Sequence, residues 1–179
     1  MAISDLIKVV PPPKLPLEIG TPEQWEAIQN DLKTRLPSDF CDYGMTYGSG
    51  YFDNPIVGQI RTNSPFGSKY RSQVDYYSIV VQEFKDEEGD EYIPYSVFPN
   101  SPGLLIWATD VHGNEFHWLT EGLPDDWPII IRGRGDEWER YNGPMTSFLA
   151  KLFTRAFKTE VWPEAFYDTP TRIDFVQRI

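Results

Sequence analysis

The fold is decided by one stretch of the chain, Pro99-Asn100-Ser101-Pro102-Gly103-Leu104-Leu105-Ile106-Trp107-Ala108-Thr109-Asp110-Val111-His112-Gly113-Asn114-Glu115-Phe116-His117-Trp118-Leu119-Thr120. It predicts a β-hairpin, because two arms rich in branched and aromatic residues flank a polar Asp-x-His-Gly-Asn segment that suits a tight turn. The first arm is apolar on both faces, which is typical of a strand inside a sheet. Its faces carry Leu105 and Trp107 on one side and Leu104, Ile106 and Ala108 on the other.

The second arm of the hairpin alternates in polarity. Phe116 and Trp118 share one face, and Glu115 and His117 share the opposite one. Alternation of this kind predicts a strand with one side in water. The rest of the chain is then expected to cover or extend this hairpin.

The segments around the hairpin predict an α+β fold, a single domain in which a central antiparallel meander sheet is covered by several helices. Helices are predicted from Thr21, where Gln24 completes a capping box, to about residue 35, from Ser38 to Gly48, over residues 68–88, and from Thr146 onward. A turn is predicted at residues 63–67. Short strands are predicted at residues 51–53, 56–60, 92–98, 129–132 and 137–141, and the loops between the later ones favour antiparallel pairing.

The chain divides into three parts around this domain. Residues 1–20 are predicted to form an extended amino-terminal arm, because Pro11-Pro12-Pro13 stops a helix there. Residues 21–158 form the α+β domain, and residues 159–179 form a carboxyl-terminal tail that packs irregularly on it. At 179 residues, one domain is the expected number.

Charge and cysteine content narrow the class of protein. The chain has 27 acidic and 16 basic residues, a formal net charge of −11, which opposes direct binding to nucleic acid or to an anionic membrane. No stretch is long and apolar enough to predict a membrane span, and no basic leader precedes an apolar segment at the amino end. The single cysteine, Cys41, cannot form an internal disulfide. We therefore expect a soluble cytoplasmic protein.

Acidic residues occur in three clusters that are candidates for partner binding. A solubilising surface is the ordinary interpretation, and a docking face for a basic protein is the more specific one. The candidate residues are Asp86, Glu87, Glu88, Asp90 and Glu91 in the first cluster, Asp125 and Asp126 in the second, and Asp136, Glu137 and Glu139 in the third.

The sequence holds few residues suited to catalysis. Asp110, His112 and Asn114 alternate through the hairpin turn and could bind a divalent cation, with His117 as an outlying ligand, although such residues also serve turns on their own. Cys41 has no basic neighbour to lower its pKa, so we expect a buried, inert thiol. Residues 133–135, Gly-Arg-Gly, lack the spacing of a phosphate-binding loop. We therefore expect no catalytic residue, no metal and no cofactor.

Several motifs occur in a defined order along the chain, namely Trp25, Leu36-Pro37-Ser38-Asp39-Phe40, Tyr47-Gly48-Ser49-Gly50, Pro102-Gly103-Leu104-Leu105-Ile106-Trp107, Gly113-Asn114-Glu115-Phe116-His117-Trp118, Pro124-Asp125-Asp126-Trp127 and Phe148-Leu149. Their order resembles that of the SUKH superfamily, which includes Smi/Knr-type cell-wall regulators and many bacterial immunity proteins of polymorphic toxin systems. The resemblance covers about residues 20–158. It implies an α+β fold that binds another protein and has no catalytic apparatus.

The expected function is therefore that of a non-enzymatic immunity protein that occludes a basic toxin domain, such as a nuclease. An anionic blocker would gain fast encounter with such a target from the opposite charge. The first alternative is a regulatory or scaffolding protein of the cell-wall-regulator type. A metal-dependent hydrolase acting at the turn between Asp110 and His117 comes third.

Overall fold

The computed structural model of the chain describes residues 2–62, 66, 70–135 and 137–178. These residues form a seven-stranded sheet in the order β6-β5-β4-β3-β2-β1-β7, with every neighbouring pair antiparallel. The first six strands pair in chain order, so the predicted α+β meander is confirmed. The strands are β1 Gly50–Asn54, β2 Gly58–Thr62, β3 Leu104–Asp110, β4 Glu115–Leu119, β5 Ile129–Arg132, β6 Trp138–Tyr141 and β7 Asp174–Gln177.

Six α-helices accompany the sheet in the described part of the chain, namely α1 Ala2–Val9, α2 Pro22–Leu32, α3 Ser38–Tyr47, α4 Tyr70–Glu88, α5 Met145–Phe153 and α6 Glu164–Asp168. Helices α1, α3 and α5 pack together on one face of the sheet, and α4 packs against β3 on the other. None of the helices is both long and apolar enough to cross a membrane, within the residues described. The predicted start of α4 at Ser68, and most of the turn at residues 63–67, lie outside those residues.

The amino-terminal arm is not extended, and that prediction is wrong. Helix α1 occupies its first part, with Leu6 and Val10 fully buried against the main core. Ile3, Leu6, Ile7 and Val10 recur at helical spacing, and this stripe gives the helix a face to bury. The proline run beginning at Pro11 follows the helix and ends it.

Helix starts in this fold are capped partly by distant residues. The capping box of Thr21 and Gln24 is present as predicted, although α2 ends at Leu32, where Lys33 takes a left-handed conformation. Ser38 and Thr146, where the sequence predicts the starts of two helices, are not N-caps, since Pro37 and Pro144 occupy those positions. Two distant carboxylates accept the free N–H groups instead: Ser38 donates to Asp125 at 2.6 Å, and Thr146 donates to Asp39 at 2.8 Å.

The first arm of the hairpin contains a β-bulge that reorients its last residues. Ile106 pairs with His117, but Ala108 pairs with Phe116, so Trp107 is the extra residue on β3. Directly opposite residues share a face. Ala108 therefore lies on the main-core face with Phe116, and not with Ile106 as predicted.

Trp107 lies at the centre of the main core and is 0% exposed. Its ring is 5.6 Å from Phe116, 5.9 Å from Trp118 and 6.1 Å from Phe148 of α5, measured between centroids. These aromatic contacts join the hairpin to the helical layer.

The second face of β4 is buried, although the sequence predicts it in water. His117 is only 2% exposed, because α4 and the segment that follows it cover this side of the sheet. The predicted strand at residues 92–98 is also absent, and only Val97 forms a bridge there, with Leu104. That segment contributes to a small second core made of Val81, Ile93, Val97, Leu104, Leu119 and Ile130.

The carboxyl-terminal tail packs on the domain through regular structure. Trp162 and Phe166 are buried in the main core together with Ile173. Strand β7 then pairs with β1 and extends the sheet by one strand. The tail thus forms a helix and a strand where irregular packing is predicted.

The burial of Trp107 can be tested by substitution. Trp107→Ala should lower the free energy of unfolding by about 3–5 kcal/mol, because it removes a large buried ring and leaves a cavity. Urea unfolding followed by circular dichroism measures this loss. Tyr76→Ala, on the exposed side of α4, is the control and should change stability by about 0.5 kcal/mol or less. A loss below about 1 kcal/mol for Trp107→Ala would contradict its place in the core.

Candidate functional site

The carboxyl end of α4 carries a dense group of exposed acids, here called the α4 acidic cluster: Asp86, Glu87, Glu88, Asp90 and Glu91. Asp86 accepts a hydrogen bond from Gln82 at 2.8 Å, and Asp90 pairs with Lys85 at 2.5 Å. Glu87, Glu88 and Glu91 make no hydrogen bond or ion pair to another side chain in the described part of the protein. These three carboxylates are the ones that remain open to a partner.

Most of the other predicted acids accept hydrogen bonds that stabilise the fold. Asp125 caps α3 through Ser38, and Glu137 accepts a hydrogen bond from the backbone of Gly135 at 3.1 Å. Glu139 holds the tail, since its Oε1 accepts from Thr159 Oγ1 at 2.6 Å and from the backbone N–H of Glu160 at 2.8 Å. Asp126 is exposed in the short 3-10 helix Pro124–Asp126, and Asp136 lies outside the described residues.

The acidic groups also do not form one surface. Near its start, α4 contributes Arg71 to a cleft that is shared with Pro124 and Trp127. Near its end, α4 contributes Glu88 to a different cleft that is shared with Gly113 and Arg134. Asp125 and Asp126 follow Pro124 in the same short helix, and Glu88 belongs to the α4 acidic cluster. These two aspartates therefore lie at the opposite end of the sheet from the α4 acidic cluster.

Helix α4 exposes apolar side chains as well as acids. Tyr76 is 62% and Ile79 is 57% exposed, and Glu83 and Glu87 continue the same side of the helix. We call these four residues the α4 outer face. Phe84, which the helical pattern places in the buried stripe, is 46% exposed. The fully buried residues of this helix are Tyr70, Val74 and Val81, and Tyr77 is half-buried against the main core. The outer face could have been found from the apolar residues outside this stripe.

The hairpin turn is organised by Asp110, whose side chain is buried. Its Oδ1 accepts from the backbone N–H groups of His112 and Asn114, at 2.9 and 3.0 Å. Its Oδ2 accepts from Asn114 Nδ2 at 2.7 Å and from Trp162 Nε1 at 3.2 Å. Both oxygens are thus engaged in the fold, and His112 is exposed. Among the described residues, no group of three or more histidine, cysteine or acidic side chains is placed to hold a metal ion.

A buried ionic group lies between the sheet and α4. Glu115 Oε2 is 3.0 Å from His117 Nε2 and 3.4 Å from Arg132 Nη1. Burial alone would raise the pKa of Glu115, but the hydrogen bond from His117 and the positive charge of Arg132 outweigh it and lower the pKa below its ordinary value. Glu115 is therefore ionised at neutral pH and compensates the charge of Arg132.

Cys41 is a partly buried residue of α3. Burial, together with the neighbouring carboxylates Asp42 and Asp39, raises the pKa of this thiol to about 11. The thiol is therefore protonated at neutral pH, and a protonated thiol is a poor nucleophile.

Comparisons of this chain with protein-family models, with curated proteins and with solved structures find no match. The geometry of the chain itself therefore carries the functional argument.

The role of Asp110 can be tested against that of its neighbour in the turn. Asp110→Ala should cost about 2–4 kcal/mol, because several N–H groups lose their acceptor at once. His112→Ala should change stability by about 0.5 kcal/mol or less, since its side chain is exposed. Urea unfolding measures both. In parallel, calorimetric titration with zinc, manganese or calcium should show no binding tighter than about millimolar. A micromolar site that is lost in His112→Ala would support the hydrolase alternative.

The buried ionic group predicts a dependence of stability on pH. The pKa of Glu115 is lower in the folded chain than its ordinary value of 4.5, so its stabilising effect is complete above pH 4.5 and is lost as the pH falls through the folded-state pKa. Glu115→Gln should therefore cost about 1–3 kcal/mol at neutral pH, and less at about pH 3. Urea unfolding at both pH values measures the difference. The matched control is Glu26→Gln, an exposed residue of α2, and an equal cost of Glu115→Gln at both pH values would contradict the ionic role of this carboxylate.

Proposed function

We propose that this chain is a cytoplasmic, non-enzymatic protein-binding module, an immunity protein that occludes a basic toxin domain. The observation that carries the proposal is the α4 outer face, where exposed apolar side chains lie beside free carboxylates. Protein interfaces combine apolar anchors, which lose water on binding, with charged residues around them. The resemblance of the motifs to SUKH proteins supports the same class of function.

Charge specifies the kind of partner that suits this surface. A second copy of the chain would bring its own net charge of −11 and its own acids to the contact, so self-association through this face is disfavoured. A domain that binds nucleic acid carries a cationic surface, and opposite potentials accelerate the encounter. A basic, nuclease-like toxin domain therefore fits best.

The position of the acids on α4 supports a use beyond folding. Glu87 and Glu88 lie in the last turn of the helix, where the partial negative charge of the helix end disfavours a carboxylate by a few tenths of a kcal/mol each. The fold gains no hydrogen bond from these two side chains among the described residues. Their cost to folding would be offset by a partner that binds them.

Charge reversal tests this proposal. Glu87→Lys, Glu88→Lys and Glu91→Lys in one variant should slow association with the cognate toxin domain, to be sought in the reading frames next to the gene of this chain, at least tenfold at low salt, because exposed charges act mainly on the encounter rate. Stopped-flow association at two salt concentrations measures the rate, and rescue of cells that express the toxin measures protection. Stability should stay unchanged or rise slightly, since cations favour a helix carboxyl end.

A control variant separates the patch from the overall charge. Glu26→Lys, Asp53→Lys and Asp168→Lys change the net charge by the same amount at exposed positions away from α4. If both variants slow association equally, the α4 acidic cluster is not the contact surface. If the unmutated chain neither binds nor protects, the immunity proposal fails for that toxin and the regulatory alternative takes its place.

A further inference from the structure

One cleft of the protein combines two arginines with exposed aromatic rings. It has a volume of about 560 Å³ and lies between the end of α4 and the turns that connect β3 to β4 and β5 to β6. A volume of this size falls in the range of small-molecule sites. Its lining includes Phe84, Glu88, Tyr92, Glu115, Arg132 and Arg134.

Arg132 lies near two aromatic rings. Its Cζ lies 5.4 Å from the ring centroid of Phe84 and 5.7 Å from that of Trp138. A cation near the face of an aromatic ring is attracted to it, and this contact does not use the N–H groups of the guanidinium. In the described part of the chain, the 3.4 Å contact from Nη1 to Glu115 is its one hydrogen bond, so most of its five donors remain unused.

Arg134 is placed at the same cleft by the backbone. Its N–H donates to Asn114 Oδ1 at 3.2 Å, and Asn114 is itself bound to Asp110. This contact ties the β5–β6 turn to the β3–β4 turn and brings the Arg134 side chain next to Gly113. The guanidinium is exposed and has no ion-pair partner among the described residues.

We infer that this cleft binds a small aromatic anion, a carboxylate or phosphate monoester on a planar ring. The two guanidinium groups would donate to the anion, and the exposed rings of Phe84 and Tyr92 would contact the aromatic body. Glu115 also lines the cleft, and its ionised carboxylate is paired with Arg132, so among the described lining residues Arg134 is the arginine whose charge is not compensated by an ion pair. Glu88, at the rim, is the lining carboxylate without a cationic partner among the described residues, and it would oppose the ligand. This inference does not depend on the proposed immunity function.

Direct titration tests the inference, with phenyl phosphate as the probe and calorimetry of the full chain as the measurement. We expect a Kd below about 1 mM, at least tenfold weaker binding of inorganic phosphate, and no binding of benzylammonium. Amide resonances of Gly113, Gly133 and Arg134 should shift on titration, while those of Gly20 and Gly50 should not. Equal affinity for phenyl phosphate and benzylammonium, or shifts confined to other regions, would overturn the inference.

Variants locate the anion. Arg134→Gln should weaken the binding of phenyl phosphate at least tenfold, because a charge-assisted hydrogen bond is lost. The substituted side chain is exposed, so the fold should stay intact. Arg140→Gln, an exposed arginine of β6 that is not in the cleft lining, is the matched control and should bind as the unmutated chain does. Equal losses in the two variants, or no loss in Arg134→Gln, would overturn the inference.

Glu88→Gln distinguishes this site from the proposed toxin contact. Removal of the rim carboxylate should tighten the binding of phenyl phosphate about twofold or more, since a like charge near the anion is lost. The same change should weaken association with a basic partner. The affinity for phenyl phosphate and the association with a basic partner should therefore change in opposite directions. Weaker binding of phenyl phosphate by Glu88→Gln would overturn the cleft inference and leave the proposed toxin contact untouched.

Discussion

The structure depends on one constraint, which is that the central hairpin must be covered on both faces. Strand β3 is apolar on either side, and neither side can be left in water without a large loss of hydrophobic stabilisation. Helices α1, α3 and α5 cover one face, and α4 covers the other with the segment that follows it. Because α4 is the cover on its side, its own outer surface has no further layer of described residues above it, and it exposes Tyr76 and Ile79 together with acidic residues.

Covering the second face also explains the ionic group beneath α4. Once Glu115 and His117 are buried, an unpaired carboxylate there would be costly, and Arg132 supplies the compensating charge. The rings of Phe84 and Trp138 have centroids 5.4 and 5.7 Å from the guanidinium carbon and add a cation–π attraction. Folding thus places Arg132 at the cleft and pairs its charge with Glu115, and the unused donors of Arg132 are what make the cleft chemically distinct.

Features that depend on residues close together in the chain can be predicted from the sequence. Features that depend on contacts between residues far apart in the chain cannot. The capping box of Thr21 and Gln24 is local and was predictable. The caps of α3 and α5 come from Asp125 and Asp39, which lie 87 and 107 positions away along the chain. The alternating pattern of β4 likewise gave no sign that α4 would cover its polar side, because a carboxylate and a histidine on one face are usually solvated.

The same distinction separates the acids of the candidate site. Clusters of charge can be counted in a sequence, but whether an oxygen is used by the fold depends on tertiary contacts, as for Asp125 and Glu139. Glu87 and Glu88 have no such use among the described residues and lie where the helix end disfavours them. Solubility alone would be served by acids at less costly positions, and exposed Tyr76 and Ile79 work against it. The proposed partner would bury the apolar pair and neutralise the acids, which would account for both features together.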